Sequence, residues 1–98
     1  MRYEVLPPTR AAEVVSRGGQ LIDVRERSEF VSGTLPDAIN IPLGELPQRL
    51  GELNRDRPVA VFCQSGGRSS QAADLLVNNG FNKVIDLVGG IQSTRVRA

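Results

Sequence analysis

The most informative stretch of the chain is residues 59–69, which read Val-Ala-Val-Phe-Cys-Gln-Ser-Gly-Gly-Arg-Ser. The run Val59–Phe62 is apolar at every position and lacks the alternation of a half-exposed strand, which indicates a central strand of a parallel sheet. Residues 63–69 then form a polar, glycine-containing loop. Apolar residues at helical spacing over 72–77 predict a helix directly after it.

Similar units flank this stretch on both sides. Strands are predicted at 3–6 (on a sheet edge), 21–24, 38–41 and 84–88. Helical spacing occurs at 11–15 and 28–32, and four leucines fall on one helix face: Leu43, Leu46, Leu50 and Leu53. Alternating strands and helices predict an α/β fold, a mostly parallel central sheet of about five strands with helices on both faces. We expect one domain spanning 1–98.

Composition excludes several classes of function. The 98 residues carry 12 Lys+Arg and 11 Asp+Glu, so a net charge of +1 gives no basis for binding nucleic acid or an anionic membrane. Without His, the chain has no Ser-His-Asp or Cys-His pair and no His-based zinc site. A carboxylate-only Mg or Ca site stays open.

The cysteine count and the apolar runs bear on the cell compartment. One Cys cannot form an internal disulfide. No apolar run reaches the length of a signal-peptide core or a membrane span. We therefore expect a cytoplasmic protein with a free thiol.

The Cys63 loop has direct chemical consequences. Gly66 and Gly67 permit the backbone to aim successive N–H groups inward, and the following helix adds its own unpaired N–H groups. These donors predict an exposed Cys63 thiolate with a lowered pKa. Asp23 ends a predicted strand, so it is expected at the same rim of the sheet. The alternative is that Cys63 is a small buried apolar residue.

Four motifs, in order along the chain, resemble the rhodanese domain family of sulfurtransferases. They are Asp-Val-Arg-Glu at 23–26, the stretch 29–42, the loop Cys-x-x-Gly-x-Arg-Ser at 63–69 and Val-Gly-Gly-Ile at 88–91. The resemblance implies a rhodanese-like fold in which Cys63 is the persulfide-forming nucleophile. It places the active-site loop at Gln64, Ser65, Gly66, Gly67, Arg68 and Ser69.

The resemblance also implies supporting roles. Arg68 would hold the sulfonate end of an anionic donor, and Ser69 would line the loop or cap the helix. Asp23 and Arg25 would shape the loop, or else be a buried acceptor and a surface ion pair. Family members often carry Arg at the position of Gln64, so weaker thiosulfate binding is expected here.

Other positions depart from the family pattern as well. Family members often carry His where Thr34 stands and Gly where Asp37 stands. The aromatic residue common after the second glycine is missing from 91–94.

The implied reaction is a double displacement that requires no metal or organic cofactor. Cys63 takes the outer sulfur of thiosulfate or a persulfide donor and passes it to cyanide, a thiol or a protein acceptor. One alternative is a phosphatase or arsenate reductase, but those loops place five residues between Cys and Arg, whereas four separate Cys63 from Arg68. The others are a non-catalytic interaction module and a sulfur carrier between protein partners.

Overall fold

A computed structural model describes residues 2–93. Five strands within this range form one parallel sheet. The strands are β1 (Glu4–Leu6), β2 (Gln20–Asp23), β3 (Ile39–Asn40), β4 (Val59–Phe62) and β5 (Val84–Leu87). The α-helices are α1 (Ala11–Ser16), α2 (Arg27–Val31) and α3 (Gly67–Asn78). Short 3-10 turns occupy Pro8–Arg10, Leu46–Gln48, Leu50–Glu52 and Ile91–Ser93.

The strand order is β1-β5-β4-β2-β3, so β4 lies in the middle and β1 on an edge, as predicted. All four residues of β4 are fully buried, because helices cover both faces of the sheet. Successive residues alternate between two apolar clusters. Val59 and Val61 pack with α3, whereas Ala60 and Phe62 pack with α1. The predicted fold class is confirmed.

The predicted helix through the four leucines is wrong. This stretch instead forms the 3-10 turns Leu46–Gln48 and Leu50–Glu52. Pro47 lacks an amide hydrogen and its ring disfavours a continuous α-helix, so the chain bends through i→i+3 hydrogen bonds such as Arg49 N–H to Leu46 O at 3.0 Å. Leu46 and Leu53 are nevertheless buried, because the apolar spacing also suits two short turns.

The loop after β4 is shorter than predicted, since α3 begins at Gly67. Gly66 precedes it with φ of 126°, in the region that favours glycine. Gly67, Arg68 and Ser69 therefore form the first helical turn. Their N–H groups lack helical partners and are available to a ligand or a side chain.

Within residues 2–93, none of the helices has the length and apolar character needed to cross a bilayer. The predicted domain limits at Met1 and Ala98, and Thr94 in the stretch without an aromatic residue, lie outside the described residues.

Candidate active site

Cys63 directly follows β4, where the carboxyl ends of the parallel strands meet. The expected exposure is wrong, because Cys63 is only 1% exposed. It packs within the apolar cluster below α3, and the loop after it turns back over the sulfur. Gly66 N–H donates to Cys63 Sγ at 3.0 Å.

Burial raises the pKa of the Cys63 thiol, but hydrogen bonds outweigh it and hold the pKa below the ordinary value. The donors are the backbone N–H groups of Ser69, Gly66 and Ser65, together with the Ser69 hydroxyl. Each stabilises the anion more than the neutral thiol. The combination of an apolar floor and converging donors favours a stabilised thiolate.

The backbone after β5 fixes the position of the loop. Ile91 N–H donates to Cys63 O at 2.9 Å, and Gln92 N–H donates to Gln64 O at 3.0 Å. A side chain at Gly90 would run into these same carbonyls. This close backbone approach explains why position 90, the second of the two glycines in the fourth motif, carries no side chain.

Asp23 and Arg25 lie at the same rim, but not as a surface pair. Asp23 is fully buried and Arg25 is 4% exposed. Arg25 Nε and Nη2 donate to the Asp23 carboxylate at 3.0 and 2.8 Å, and Nη2 also donates to Gly33 O at 2.6 Å. This arrangement fixes the chain from β2 to α2 beside the loop. Arg25 Nη1 also lies 3.5 Å from Oε1 of Gln64.

Arg68 is not free at the loop, because both of its terminal nitrogens bind the Glu29 carboxylate of α2. Glu29 also accepts the backbone N–H of Glu26 at the start of that helix. Glu29 was not predicted at the site, because nothing in its sequence spacing from Arg68 indicates a contact. Of residues 2–93, no group of three His, Cys, Asp or Glu side chains is placed to hold a metal ion.

Two departures from the family pattern have local explanations. Thr34 donates its hydroxyl to Asp23 Oδ2 at 2.9 Å, so it supports the buried ion pair. Asp37 has φ of 67°, a left-handed conformation that suits glycine and that Asp tolerates better than most residues.

Asp86 on β5 also lies at the site, although it was not among the predicted site residues. It accepts the Ser69 hydroxyl at 2.7 Å. The sequence feature that could have indicated it is a carboxylate inside the apolar run 84–88.

Comparison with known proteins places this geometry in a family. A sulfurtransferase from Allochromatium vinosum is 41% identical over 71 residues, covering 72% of this chain and 66% of that protein. Thiosulfate sulfurtransferase GlpE of Pseudomonas syringae is 31% identical over 95% of this chain and 88% of its own length. The uncharacterized protein YqhL of Bacillus subtilis is 46% identical, and the chain spans 60% of it.

Solved structures agree with the sequence relatives. Human single domain sulfurtransferase TSTD1 superposes with a TM-score of 0.80 at 28% identity, over 94% of this chain and 93% of that one. Reduced Bacillus anthracis CoADR-RHD gives 0.85 at 38% identity, over 92% of this chain and 16% of that one. The family model described as "Rhodanese-like domain" matches residues 8–95. Because that match covers most of the chain, including the whole of the Cys63 loop, the chain belongs to the rhodanese-like domain family.

Proposed function

We propose that the protein is a sulfurtransferase that carries sulfane sulfur as a Cys63 persulfide. The observation that carries this proposal is the set of N–H and O–H donors directed at Cys63, which lower the pKa of its thiol. A thiolate nucleophile needs no base at the moment of attack. A chain without His therefore remains competent for this chemistry.

The reaction has two displacements at sulfur. The Cys63 thiolate attacks the outer sulfur of the donor, and with thiosulfate the old S–S bond breaks with its electron pair leaving on sulfite. Cyanide or an acceptor thiolate then attacks the outer sulfur of the persulfide, and Cys63 leaves as a thiolate. The same preorganised N–H groups stabilise the anion on the enzyme in each state.

The charges around the loop favour a donor other than thiosulfate. Arg25 and Arg68 are both paired with carboxylates, and position 64 carries a neutral Gln. A doubly charged small anion therefore meets little uncompensated positive charge from these residues. We infer that a thiol persulfide, small or on a protein, is the better donor. The relatives named for thiosulfate do not decide this point, because their names describe those proteins alone.

The experiment is intact-mass analysis after incubation with each donor and removal of the excess. Cys63 is the single cysteine, so a gain of one sulfur reports on it alone. We expect the gain with glutathione persulfide, a smaller gain with thiosulfate, full reversal by cyanide, and no gain in Cys63→Ala. Absence of a gain with both donors would contradict the proposal and favour the interaction-module alternative.

A further inference from the structure

Asp86 is the polar residue of β5, a strand that is otherwise apolar. In the β4–β5 register it pairs with Val61, two residues before Cys63. Val61 and Cys63 both belong to the apolar cluster on the α3 side of the sheet, and Val84, two residues before Asp86, belongs to it as well. Strand alternation therefore directs the Asp86 side chain to the same side of the sheet as the Cys63 thiol.

The Asp86 carboxylate is buried and makes a hydrogen bond instead of an ion pair. It is 2% exposed, and the ion pairs found among residues 2–93 do not include it. Asp23, in contrast, is buried but held by the Arg25 guanidinium. A buried carboxylate is costly unless hydrogen bonds satisfy it. Asp86 accepts one from the Ser69 hydroxyl at 2.7 Å, the usual separation in an O–H···O hydrogen bond.

Ser69 and Ser70 give a comparison within one turn of α3. In both, the hydroxyl lies 3.0 Å from the backbone carbonyl oxygen three residues earlier. The Ser69 side chain is fully buried and also reaches Asp86, whereas the Ser70 contact is exposed and involves no carboxylate. Asp86 thus ties the first turn of α3 to β5 through Ser69.

Gly66 connects this turn to the thiol. Its carbonyl oxygen faces the Ser69 hydroxyl and accepts the Ser70 N–H at 3.3 Å. Its own N–H lies 3.0 Å from Cys63 Sγ. Glycine has no side chain to restrict its backbone, so contacts with its neighbours must hold this N–H in place. The Ser69 hydroxyl makes one of these contacts, and the Asp86 carboxylate fixes the position of that hydroxyl.

We propose that Asp86 is a positioning residue for the reaction at Cys63. By holding the Ser69 hydroxyl it fixes the first turn of α3 against β5, and this turn keeps the Gly66 N–H directed at the sulfur. The role needs an oxygen acceptor at position 86, not a negative charge, and it involves no contact with the substrate. It rests on the proposed function only in taking Cys63 as the reactive thiol.

The first test follows thiolate absorbance and alkylation by iodoacetamide against pH in the whole chain. Asp86→Asn keeps an oxygen that accepts the Ser69 hydroxyl, so its thiolate midpoint should match the parent. Asp86→Leu has nearly the same size and no acceptor, so its midpoint should rise by about 0.5 to 1 pH unit and alkylation at neutral pH should slow about threefold to tenfold. Thermal unfolding curves check that both variants fold, and Asp86→Ala replaces Asp86→Leu if the larger side chain prevents folding.

A charge effect and a purely structural effect give other results. If the negative charge of Asp86 acted on the thiol directly, the Asn and Leu variants would lower the midpoint equally, because both remove that charge. If Asp86 contributed to stability alone, the variants would unfold at lower temperature with an unchanged midpoint. Either result would overturn the proposal.

The second test shows whether Asp86 acts through Ser69. Ser69→Ala should raise the midpoint, and adding Asp86→Leu to it should cause no further change. Ser70→Ala is the matched control and should match the parent, since it removes a hydroxyl–carbonyl contact of the same length that does not reach Asp86. Additive shifts in the double variant, or equal shifts in the two serine variants, would contradict the proposal.

The amide proton resonance of Gly66 measures the N–H···S contact itself. It should move upfield in Asp86→Leu, because a weaker hydrogen bond shields the proton, and stay in place in Asp86→Asn. An unmoved resonance in Asp86→Leu would overturn the proposal. None of these readouts requires sulfur transfer. Failure of this inference is therefore distinguishable from failure of the proposed function, which the persulfide mass reports.

Discussion

Arg68 in the first turn of α3 and Glu29 on α2 form a bidentate ion pair. Nη1 of Arg68 lies 2.7 Å from Oε1 of Glu29, and Nη2 lies 3.1 Å from Oε2. Arg68 also lies within electrostatic reach of Cys63, so the pairing partly neutralises a cation beside the proposed nucleophile. The carboxylate thereby holds the first turn of α3 against α2, and in the proposed reaction it would weaken the attraction of this turn for an anionic donor.

Releasing Arg68 from its carboxylate is expected to improve thiosulfate binding. Glu29→Gln keeps an oxygen that can accept the Glu26 N–H but removes the charge, so KM for thiosulfate should fall about twofold to fivefold. The matched control is Glu52→Gln, since Glu52 makes a similar two-pronged pair with Arg49. Steady-state kinetics measure both. Equal KM values for Glu29→Gln and the parent would mean that Arg68 does not contact the donor.

The same ion pair predicts a pH-dependent stability. The Arg68 hydrogen bonds lower the pKa of Glu29 from 4.5 to about 2. A lowered pKa stabilises the folded state above the ordinary value, and that contribution is lost as the pH falls from 4.5 toward 2. Urea unfolding should therefore show the parent more stable than Glu29→Gln at pH 6, with the gap closing in acid. In an Arg68→Gln background the gap should be small at every pH.

Introducing a cation at position 64 is expected to strengthen thiosulfate binding, independently of the Arg68–Glu29 pair. A charge placed about 4 Å from a solvated anion contributes about 1 kcal/mol, or about fivefold in KM. Gln64→Arg should show this gain, and Gln64→Leu should not. The gain should also shrink as salt is added, because the site is partly open to solvent. A salt-independent change in KM would point to altered loop shape instead of charge.

Substituting the adjacent residues Gly66 and Gly67 is expected to affect the reactivity of Cys63 differently. With φ of 126°, Gly66 aims its N–H at Cys63 Sγ, and a side chain there strains the backbone. Gly66→Ala should raise the pKa of the thiol and slow its alkylation at neutral pH about tenfold. In Gly67→Ala the new Cβ meets no atom within 4 Å, so alkylation should match the parent. Equal rates in both variants would show that this N–H does not set the thiol pKa.

The sequence predicted what depends on local pattern and missed what depends on contacts between distant segments. The apolar run at β4 indicated a central strand because a strand buried on both faces has no polar alternation. The helix predicted over 43–53 from its apolar spacing is wrong, because that spacing suits both an α-helix and 3-10 turns and Pro47 favours the turns. Glu29 lies 39 residues from Arg68 and Asp86 lies 17 from Ser69, so only the folded chain shows these pairs.

The close approach of Gly90 to the Cys63 loop predicts that the segment after β5 fixes the position of that loop. Its backbone approaches the loop so closely that an added Cβ would overlap Cys63 O and lie 2.6 Å from Gln64 O. These two carbonyls accept the N–H groups of Ile91 and Gln92. Gly90→Ala must therefore push the 3-10 turn away from the loop, and both hydrogen bonds lengthen.

We expect Gly90→Ala to lose about 2 kcal/mol or more in its free energy of unfolding and to form persulfide more slowly. Urea unfolding and the mass assay measure the two effects. Gly44→Ala is the control, since its new Cβ meets no atom within 4 Å. If Gly90→Ala matched the parent in both assays, the loop would not depend on this contact. A loss of stability with normal persulfide formation would place Gly90 in folding alone, because the N–H donors around Cys63 would then be intact.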